Sequence, residues 1–500
     1  MKISMNKYFF LLSAVLIIMG SSSFGQDEAS EVVNEEETPV VLEEIAGERN
    51  LTGIRPWRAP NYSGQQGALG WTEETFKVPA GLETNYKFWL DVYTKYSTDQ
   101  GVLHDSEYID LIYEVLDFTH ISQRTDLTDG QKHRLRTKAV KEGKKRVVEM
   151  LKKFEKVTDP ATLDFNEKRV WDYFQKIEGS KKYSEAASKN RLRFQLGQRD
   201  RIIQGIFFSG RYLEDFEQIF QEAGLPKELT RLPFVESSYN VLARSKVGAS
   251  GLWQIMRYTG RPFMMINSTV DKRNYPKDAT RVAAKLLRIN YNMLESWPLA
   301  LTGYNHGPAG VLKLTKLYKS REIGDLVVSN GSKKRLGFAS RNFYASFLAI
   351  LEAEKNAPQY FGQVYWSQSL NAIDIKLDQP VRYKDILAWF GGNDRATQVY
   401  NPHITANARK FGKVLPIGSI ISIPAAKEKE VLAELENRKK DISKLVKDDA
   451  IEAARSYIVA KGDTISSIAR EFGVSMKELL ATNDLDSPHK LRVGQTLKIP

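Results

Sequence analysis

The run LPFVESSYNVLARSKVGASGLWQIM, residues 232–256, sets a single carboxylate, Glu236, behind Leu232, Pro233, Phe234 and Val235, and no other Asp or Glu follows before Asp271. The chain as a whole is 27% charged, so this gap is local. A carboxyl packed against apolar side chains has its ionised form disfavoured and its pKa raised. Such a group keeps its proton near neutral pH and yields it to a leaving oxygen, the work of a general acid. A Glu that caps or ion-pairs a helix end fits the spacing as well. The residues that follow add polar chemistry. Gly248-Ala249-Ser250-Gly251 lets a backbone approach a ligand closely, and Trp253, Gln254 and Met256 offer a stacking face, an amide and a soft wall suited to a sugar groove. For Trp253, core packing and sugar stacking weigh equally. Tyr304, Asn305 and Gly307 form a second polar turn.

The elements that must position these groups read as helical. Tyr212 to Ala223 is amphipathic, Gly224 stops it, and Pro226 starts a new helix. On that helix Leu225, Leu229, Leu232 and Glu236 share a stripe at about 100° per residue, so the acid points to the apolar side. Asp278 to Leu294, Trp297 to Leu301 and Ser340 to Lys355 continue an all-α unit, with loops at 237–251 and 304–310. Upstream, FWLDVYTKY (88–96), EYIDLIYEVLDF (107–118) and RVVEMLKKFEKV (146–157) each space apolar residues three or four apart, which predicts helices. The basic run from Lys132 to Lys156 reads as a solvated helix face.

Length and composition bound the rest. The chain has 500 residues, enough for two to four domains. Its formal net charge is +12, which draws an exported protein to an anionic envelope surface. Lys2 and Lys7, the apolar stretch Tyr8 to Gly20 and the small residues Ser21 to Gly25 read as an export signal, cleaved or kept as an anchor; export argues against nucleic acid as a partner. Gln26 to Asn50 holds nine acids against one Arg and reads as disordered. With no cysteine, disulfides, a Cys nucleophile and a lipid-bearing Cys are excluded. The six histidines are scattered, so no metal site and no cofactor are expected.

The last 45 or so residues change character. Ser456 to Val459 is a short strand, Asp463 caps a helix running to Phe472, Ser475 and Glu478 form a capping box, and Thr496 to Ile499 is a closing strand. An echo precedes this β-α-α-β unit. IGSIISIP (417–424) repeats VGQTLKIP (493–500), with Phe-Gly and Asn landmarks upstream of each (Phe390–Gly391 and Asn401; Phe472–Gly473 and Asn483). Residues 373–424 read as a degenerate first copy, and 425–455 as a charged helical spacer; chance similarity of two strand ends is the competing explanation.

Glu236-Ser237, Ser245-x-x-Gly248-Ala249-x-Gly251-Leu252-x-Gln254-x-Met256 and Tyr304-Asn305-x-Gly307 resemble, in order and spacing, the three motifs of lytic transglycosylases with the soluble-transglycosylase, lysozyme-like fold. LPKELTRLPFVESSYN and GLWQIMRYTG are similar to the membrane-bound lytic murein transglycosylase D branch, and FWLDVYTKYSTDQGVLHD to the helical region before its catalytic domain. The C-terminal segment from Tyr457 is similar to a LysM module throughout. One departure is Gly303, where the third motif usually has Ala before Tyr-Asn.

The resemblance implies a mainly α protein: signal 1–25, acidic disordered linker 26–80, helical N-terminal region 81–210, lysozyme-like catalytic domain 211–360, then the modules 373–424 and 456–500 joined by 425–455. It implies that Glu236 alone cleaves the β-1,4 bond between N-acetylmuramic acid and N-acetylglucosamine, forming 1,6-anhydromuramic ends without water. Ser245 would orient the N-acetyl group, while Gln254, Met256, Tyr304 and Asn305 would line the sugar sites. Ser237 would be structural, and Asp271 would cap a turn before Arg273; as a second acid, Asp271 or Asp278 stays open. Gly462, Asp463, Thr464, Asn483 and Asp484 would contact glycan in the LysM module. The expected partner is the peptidoglycan strand, with no nucleic acid and no obligate protein partner, in the periplasm or cell envelope. Competing readings are a hydrolytic muramidase on the same fold, a chitin-directed enzyme and a non-catalytic wall-binding scaffold.

Overall fold

The helix Leu232–Ser237 carries Glu236 and lies inside the largest apolar core. In the structure, a computed structural model that describes residues 53–328, 336–445, 456–460, 462–472 and 474–500, this helix does not continue from Pro226. A 3-10 turn, Lys227–Arg231, comes first, and Pro233 then sits at the start of a separate α-helix. Proline fits a first turn because its missing N–H is unpaired there anyway. Leu225, Leu229 and Leu232 are nonetheless all fully buried, so the apolar stripe survives the change of helix type.

Around it pack Glu83–Thr94, Leu213–Glu222, Pro276–Leu294, Trp297–His306, Pro308–Tyr318 and Phe338–Lys355, the last buried along nearly its whole length. These agree with the helices expected at 88–96, 212–223, 278–294, 297–301 and 340–355. The 304–310 segment differs, because Tyr304, Asn305 and His306 belong to the last turn of a helix and only Gly307, at φ 91°, breaks it. The fold is mainly α.

Two expectations upstream are corrected. The 107–118 segment is not a helix: Ile112–Asp117 is a strand, paired with Gln100–Asp105, which also pairs with Leu192–Leu196 in a three-stranded antiparallel sheet. Three-or-four spacing over a short apolar run does not separate helix from strand, and here cross-strand partners distant in sequence decide. The sheet packs on Asp129–Phe154 through Leu103, Leu116, Val147 and Leu151, forming a second core.

Residues 53–80 are likewise not a disordered linker. Ile54–Pro56 pairs with Tyr365–Ser367, Trp57, Tyr62, Leu69 and Phe76 pack on the core around the Glu236 helix, and Trp297 Nε1 donates to the Leu69 carbonyl at 2.8 Å. The acidic run ends near Asn50 and aromatics begin at Trp57, so the physical boundary lies where apolar surface becomes available for burial. The export signal at 1–25, residues 26–52 of the linker, the spacer's residues 446–455 and Gly473 lie outside the described residues.

At the C-terminus Ser456–Ile458 pairs antiparallel with Thr496–Lys498 around the helices Ile465–Phe472 and Met476–Thr482, the second opened by the Ser475–Glu478 capping box. The cap of the first helix is Thr464, whose Oγ1 accepts from Ser467 N at 3.1 Å; Asp463 instead accepts from Tyr457 Oη and Ala460 N, each at 2.6 Å.

Residues 372–424 share the outer strand pair and the Asn clamp of this arrangement, and add a second strand pair, Val381–Arg382 with Val414–Leu415, and a third helix. Ala372–Lys376 pairs antiparallel with Ile420–Pro424. Asn401 brackets Ser422 with two 2.8 Å hydrogen bonds, as Asn483 brackets Lys498 at 2.7 and 2.6 Å. Leu377 exchanges backbone bonds with Ser419 and Gly418, as Val459 does with Gln495 and Gly494. The aligned pairs are those that the IGSIISIP/VGQTLKIP echo places in register. The described part of the spacer, Glu428–Leu445, is no free rod: Val431 and Leu435 are buried in the core of the first module, and Arg438 pairs with Asp385 at 2.7 Å.

Candidate active site

Glu236 sits in the last turn of its helix, and the chain then reverses through two successive left-handed residues, Ser238 at φ 50° and Tyr239 at φ 59°. Non-glycine residues hold such angles only when their surroundings fix them. Here Tyr239 is buried, its ring meets Phe234 edge-on at 4.6 Å, and its hydroxyl donates to the Thr230 carbonyl at 2.8 Å. Ser237 Oγ donates to Leu252 O at 2.9 Å, which ties the Glu236 helix to the 243–256 loop. Tyr304 Oη donates to Trp253 O at 2.9 Å and ties the end of the helix Trp297–His306 to the neighbouring residue of that loop. Three motif segments distant in sequence therefore meet at Leu252 and Trp253.

The Glu236 carboxyl makes no hydrogen bond and no ion pair among the described residues. The residue is half-buried, and desolvation by the apolar groups around the carboxyl alone pushes its pKa up, to about 8. Its nearest titratable neighbours are Tyr93 and Tyr304, whose phenols are held protonated by burial first; Ser346 opposes this slightly at Tyr93, and the charge of an ionised Glu236 adds to it at both. Neither Asp271 nor Asp278 is a loose second acid. Asp271 is buried against Arg273 at 2.6 Å and caps the 3-10 turn Lys272–Asn274; Asp278 pairs with Lys272 at 3.0 Å and Arg281 at 3.2 Å.

Ser245, Gln254 and Asn305 each make one or two side-chain bonds to protein and keep further hydrogen-bonding capacity open among the described residues. Ser245 Oγ accepts from Ala249 N at 2.9 Å, so its own proton is available. The Gln254 amide nitrogen donates to Ala243 O at 3.2 Å and Gly251 O at 2.9 Å, leaving its amide oxygen to accept. Asn305 Oδ1 accepts from Ser340 Oγ at 2.8 Å, leaving its NH2 to donate. Pinned on one side and open on the other, these groups offer a donor, an acceptor and a donor of fixed orientation, the pattern a ligand amide or sugar hydroxyl requires. Met256 is half-buried at the start of the helix Arg257–Gly260. Trp253 is a core residue: fully buried, stacked on Phe220 at 5.6 Å and donating to Thr280 Oγ1 at 2.8 Å, it has no face to offer a sugar.

Three contributors, Arg273, Ser340 and Tyr93, were not foreseen. Arg273, 1% exposed, donates from one terminal nitrogen to Gly248 O at 2.7 Å and Ile255 O at 3.1 Å, holding the loop from beneath. Gly251, at φ 79°, lies so close to the Arg273 carbonyl that a Cβ would come within 2.1 Å of it. Ser340 and Tyr93 arrive from helices whose sequence patterns show burial but not neighbours. Replacing Tyr304 by Phe is expected to cost about 1 kcal/mol in denaturant unfolding, because only the hydroxyl bond to Trp253 O is lost, with a rate loss well below that of losing Glu236.

In the LysM segment, Asp463, Thr464 and Asn483 all bond their own module, as described above. Gly462 and Asp484 hold left-handed turns at φ 90° and 51°.

Two parts of the chain match known families. Residues 216–327 match the family model of the transglycosylase SLT domain, and residues 457–500 that of the LysM domain. The chain thus carries a lysozyme-like SLT domain followed by a C-terminal LysM domain. It is similar to membrane-bound lytic murein transglycosylase D of Escherichia coli strain K12, 28% identical over 289 residues, which cover 56% of this chain and 61% of that protein. The chain therefore spans less than two thirds of the length of that relative. N-acetylmuramoyl-L-alanine amidase XlyB of Bacillus subtilis strain 168 is 33% identical over 88 residues, 18% of this chain and 25% of that protein. Among solved structures, an inactive mutant of the lytic transglycosylase Slt from Pseudomonas aeruginosa matches 41% of this chain and 34% of its own, at 20% identity and a TM-score of 0.25.

Proposed function

We propose that the chain is a peptidoglycan lytic transglycosylase. The observation that carries this reading is a half-buried carboxyl without hydrogen bond or ion pair among the described residues, while the two acids that follow it in sequence, Asp271 and Asp278, are ion-paired. Glu236 donates its proton to the β-1,4 oxygen between N-acetylmuramic acid and N-acetylglucosamine. The glycosidic bond breaks, and the N-acetyl group of the substrate, oriented by Ser245, shields the cation forming at C1. The Glu236 carboxylate then takes the proton of the C6 hydroxyl as O6 bonds to C1. The ring closes, the acid is regenerated and no water is consumed. A two-carboxylate glycosidase needs a base or nucleophile facing the acid, and the two acids nearest in sequence downstream are held in ion pairs.

On this reading the LysM domain holds the enzyme on its insoluble polymer and raises the local substrate concentration. The signal at 1–25 takes the chain to the periplasm, where its positive charge favours the envelope. Among the described residues no helix is long and apolar enough to cross a membrane.

The test is digestion of purified peptidoglycan by the exported chain and by its Glu236→Gln variant, with the muropeptides weighed. Products lighter by one water than reducing ends, absent with the variant, are expected. Reducing ends would replace this reading by a muramidase. No release by either, with both still sedimenting with the wall, would replace it by a binding scaffold.

A further inference from the structure

The two modules share an outer strand pair and an Asn clamp, but not what lies against the loop that follows the clamping Asn. In the C-terminal copy the residues after the clamping Asn are open, with Asp484, Asp486 and Pro488 exposed. In the first copy the matching segment, Asn401 to Ile404, is buried throughout. What covers it is the catalytic unit. Asn267 folds the 265–272 hairpin by accepting from Thr269 N and Val270 N, and the hairpin tip reaches into the module. Val270, fully buried, belongs to the apolar core of the module and bridges Ile404. Thr405 Oγ1 donates to Ser268 O at 2.7 Å, Asn407 Nδ2 to the same carbonyl at 3.3 Å, and Thr405 N to Thr269 O at 3.0 Å. Asp271 N donates to His403 O at 2.8 Å, and the Tyr275 ring meets His403 edge-on at 4.7 Å.

The same hairpin holds the motif loop from its other side. Asp271 fixes the Arg273 guanidinium with two bonds, at 2.9 and 2.6 Å, and Arg273 in turn holds Gly248 O and Ile255 O. We infer that residues 372–424 are a brace for the 243–256 loop: a former binding module whose open loop has been taken by the catalytic unit, so that Thr405 and Asn407 act as positioning residues and the module takes no glycan there. The clamp of Asn401 on Ser422 keeps that loop rigid behind the contact. The rate effect rests on the transglycosylase reading; the mechanical claim does not.

The experiment compares the full chain with Thr405→Val/Asn407→Ala and with Thr405→Ser, which keeps the hydroxyl. It measures kcat and KM on soluble glycan strands, sedimentation with insoluble peptidoglycan, and amide exchange at 248–255. The double variant is expected to exchange faster at Gly248, Gly251 and Ile255 and to lose about three- to tenfold in kcat, with KM and sedimentation unchanged, the scale of coupling through a packed chain. Thr405→Ser is expected to match the parent. Unchanged exchange with unchanged kcat overturns the brace, as does reduced sedimentation with unchanged kcat, which would make the module a working glycan site. If the parent proves inactive, the transglycosylase reading fails separately, and amide exchange alone decides for or against the brace.

Discussion

Glu236→Gln is expected to lower turnover on peptidoglycan by about 10²–10⁴-fold, the range of a lost general acid, and at the same time to make the chain more stable at neutral pH. The two effects share one cause. Burial raises the carboxyl from its ordinary 4.5 to about 8, with no hydrogen bond or cation in compensation. Below pH 4.5 the group is protonated both folded and unfolded, so the native state suffers no penalty. Between 4.5 and about 8 the unfolded chain releases the proton and the folded one retains it, so stability declines by up to about 1.4 kcal/mol per pH unit. Above about 8 the penalty is complete and constant. Glutamine has the same shape and no charge, so thermal unfolding of parent and variant should coincide near pH 4 and separate as pH rises, with the variant higher. Activity of the parent should follow the protonated fraction and fall as pH passes about 8. A parent whose activity instead declines above pH 5, or a variant no more stable at pH 7 than at pH 4, would show that Glu236 is solvated in the working enzyme and is not held as an acid.

How much of this could be read from sequence depends on whether the deciding interactions are local. The isolation of Glu236 behind Leu232 to Val235 is a one-dimensional signal, but a capping or ion-paired Glu fits it as well, and the lack of such partners is seen in three dimensions. The capping box at Ser475 and the Asn–strand echo of the two modules are local or repeated and were legible too. The sheet Gln100–Asp105, Ile112–Asp117 and Leu192–Leu196 was not, because its middle strand finds one partner just downstream and the other almost ninety residues away. Trp253 could not be assigned between core and groove, since nothing near it announces Phe220 and Thr280 as its neighbours. The polar motif residues could be named from the sequence, but which of their bonds the fold uses and which it leaves open is a three-dimensional fact. The same holds for Asp463, Thr464 and Asn483 of the LysM domain: each bonds its own module, and Asp463 also pairs with Arg261 at 3.1 Å, which the residue types alone do not reveal.

Arg273 is where fold and site are hardest to separate, and removing it should show how they divide. Arg273→Met is expected to cost about 3–5 kcal/mol, because Asp271 is left buried with its charge unpaired. It should also reduce kcat, because Gly248 O and Ile255 O lose their only common donor and the 243–256 loop loses its support. Adding Asp271→Asn removes the stranded charge while keeping an oxygen that can accept from Arg273's position in the chain. Stability should then recover substantially, since a neutral pair of similar volume replaces the ion pair. Turnover should not recover with it, since the guanidinium bonds to Gly248 O and Ile255 O stay lost. Denaturant unfolding and steady-state kinetics on the parent, the two single variants and the double variant measure both quantities. If activity returned together with stability, Arg273 would serve the core alone and the loop would hold its shape through the Ser237 and Tyr304 bonds to Leu252 and Trp253. If stability returns without activity, the guanidinium is the part through which the 265–272 hairpin, and the module packed on it, set the geometry around Glu236.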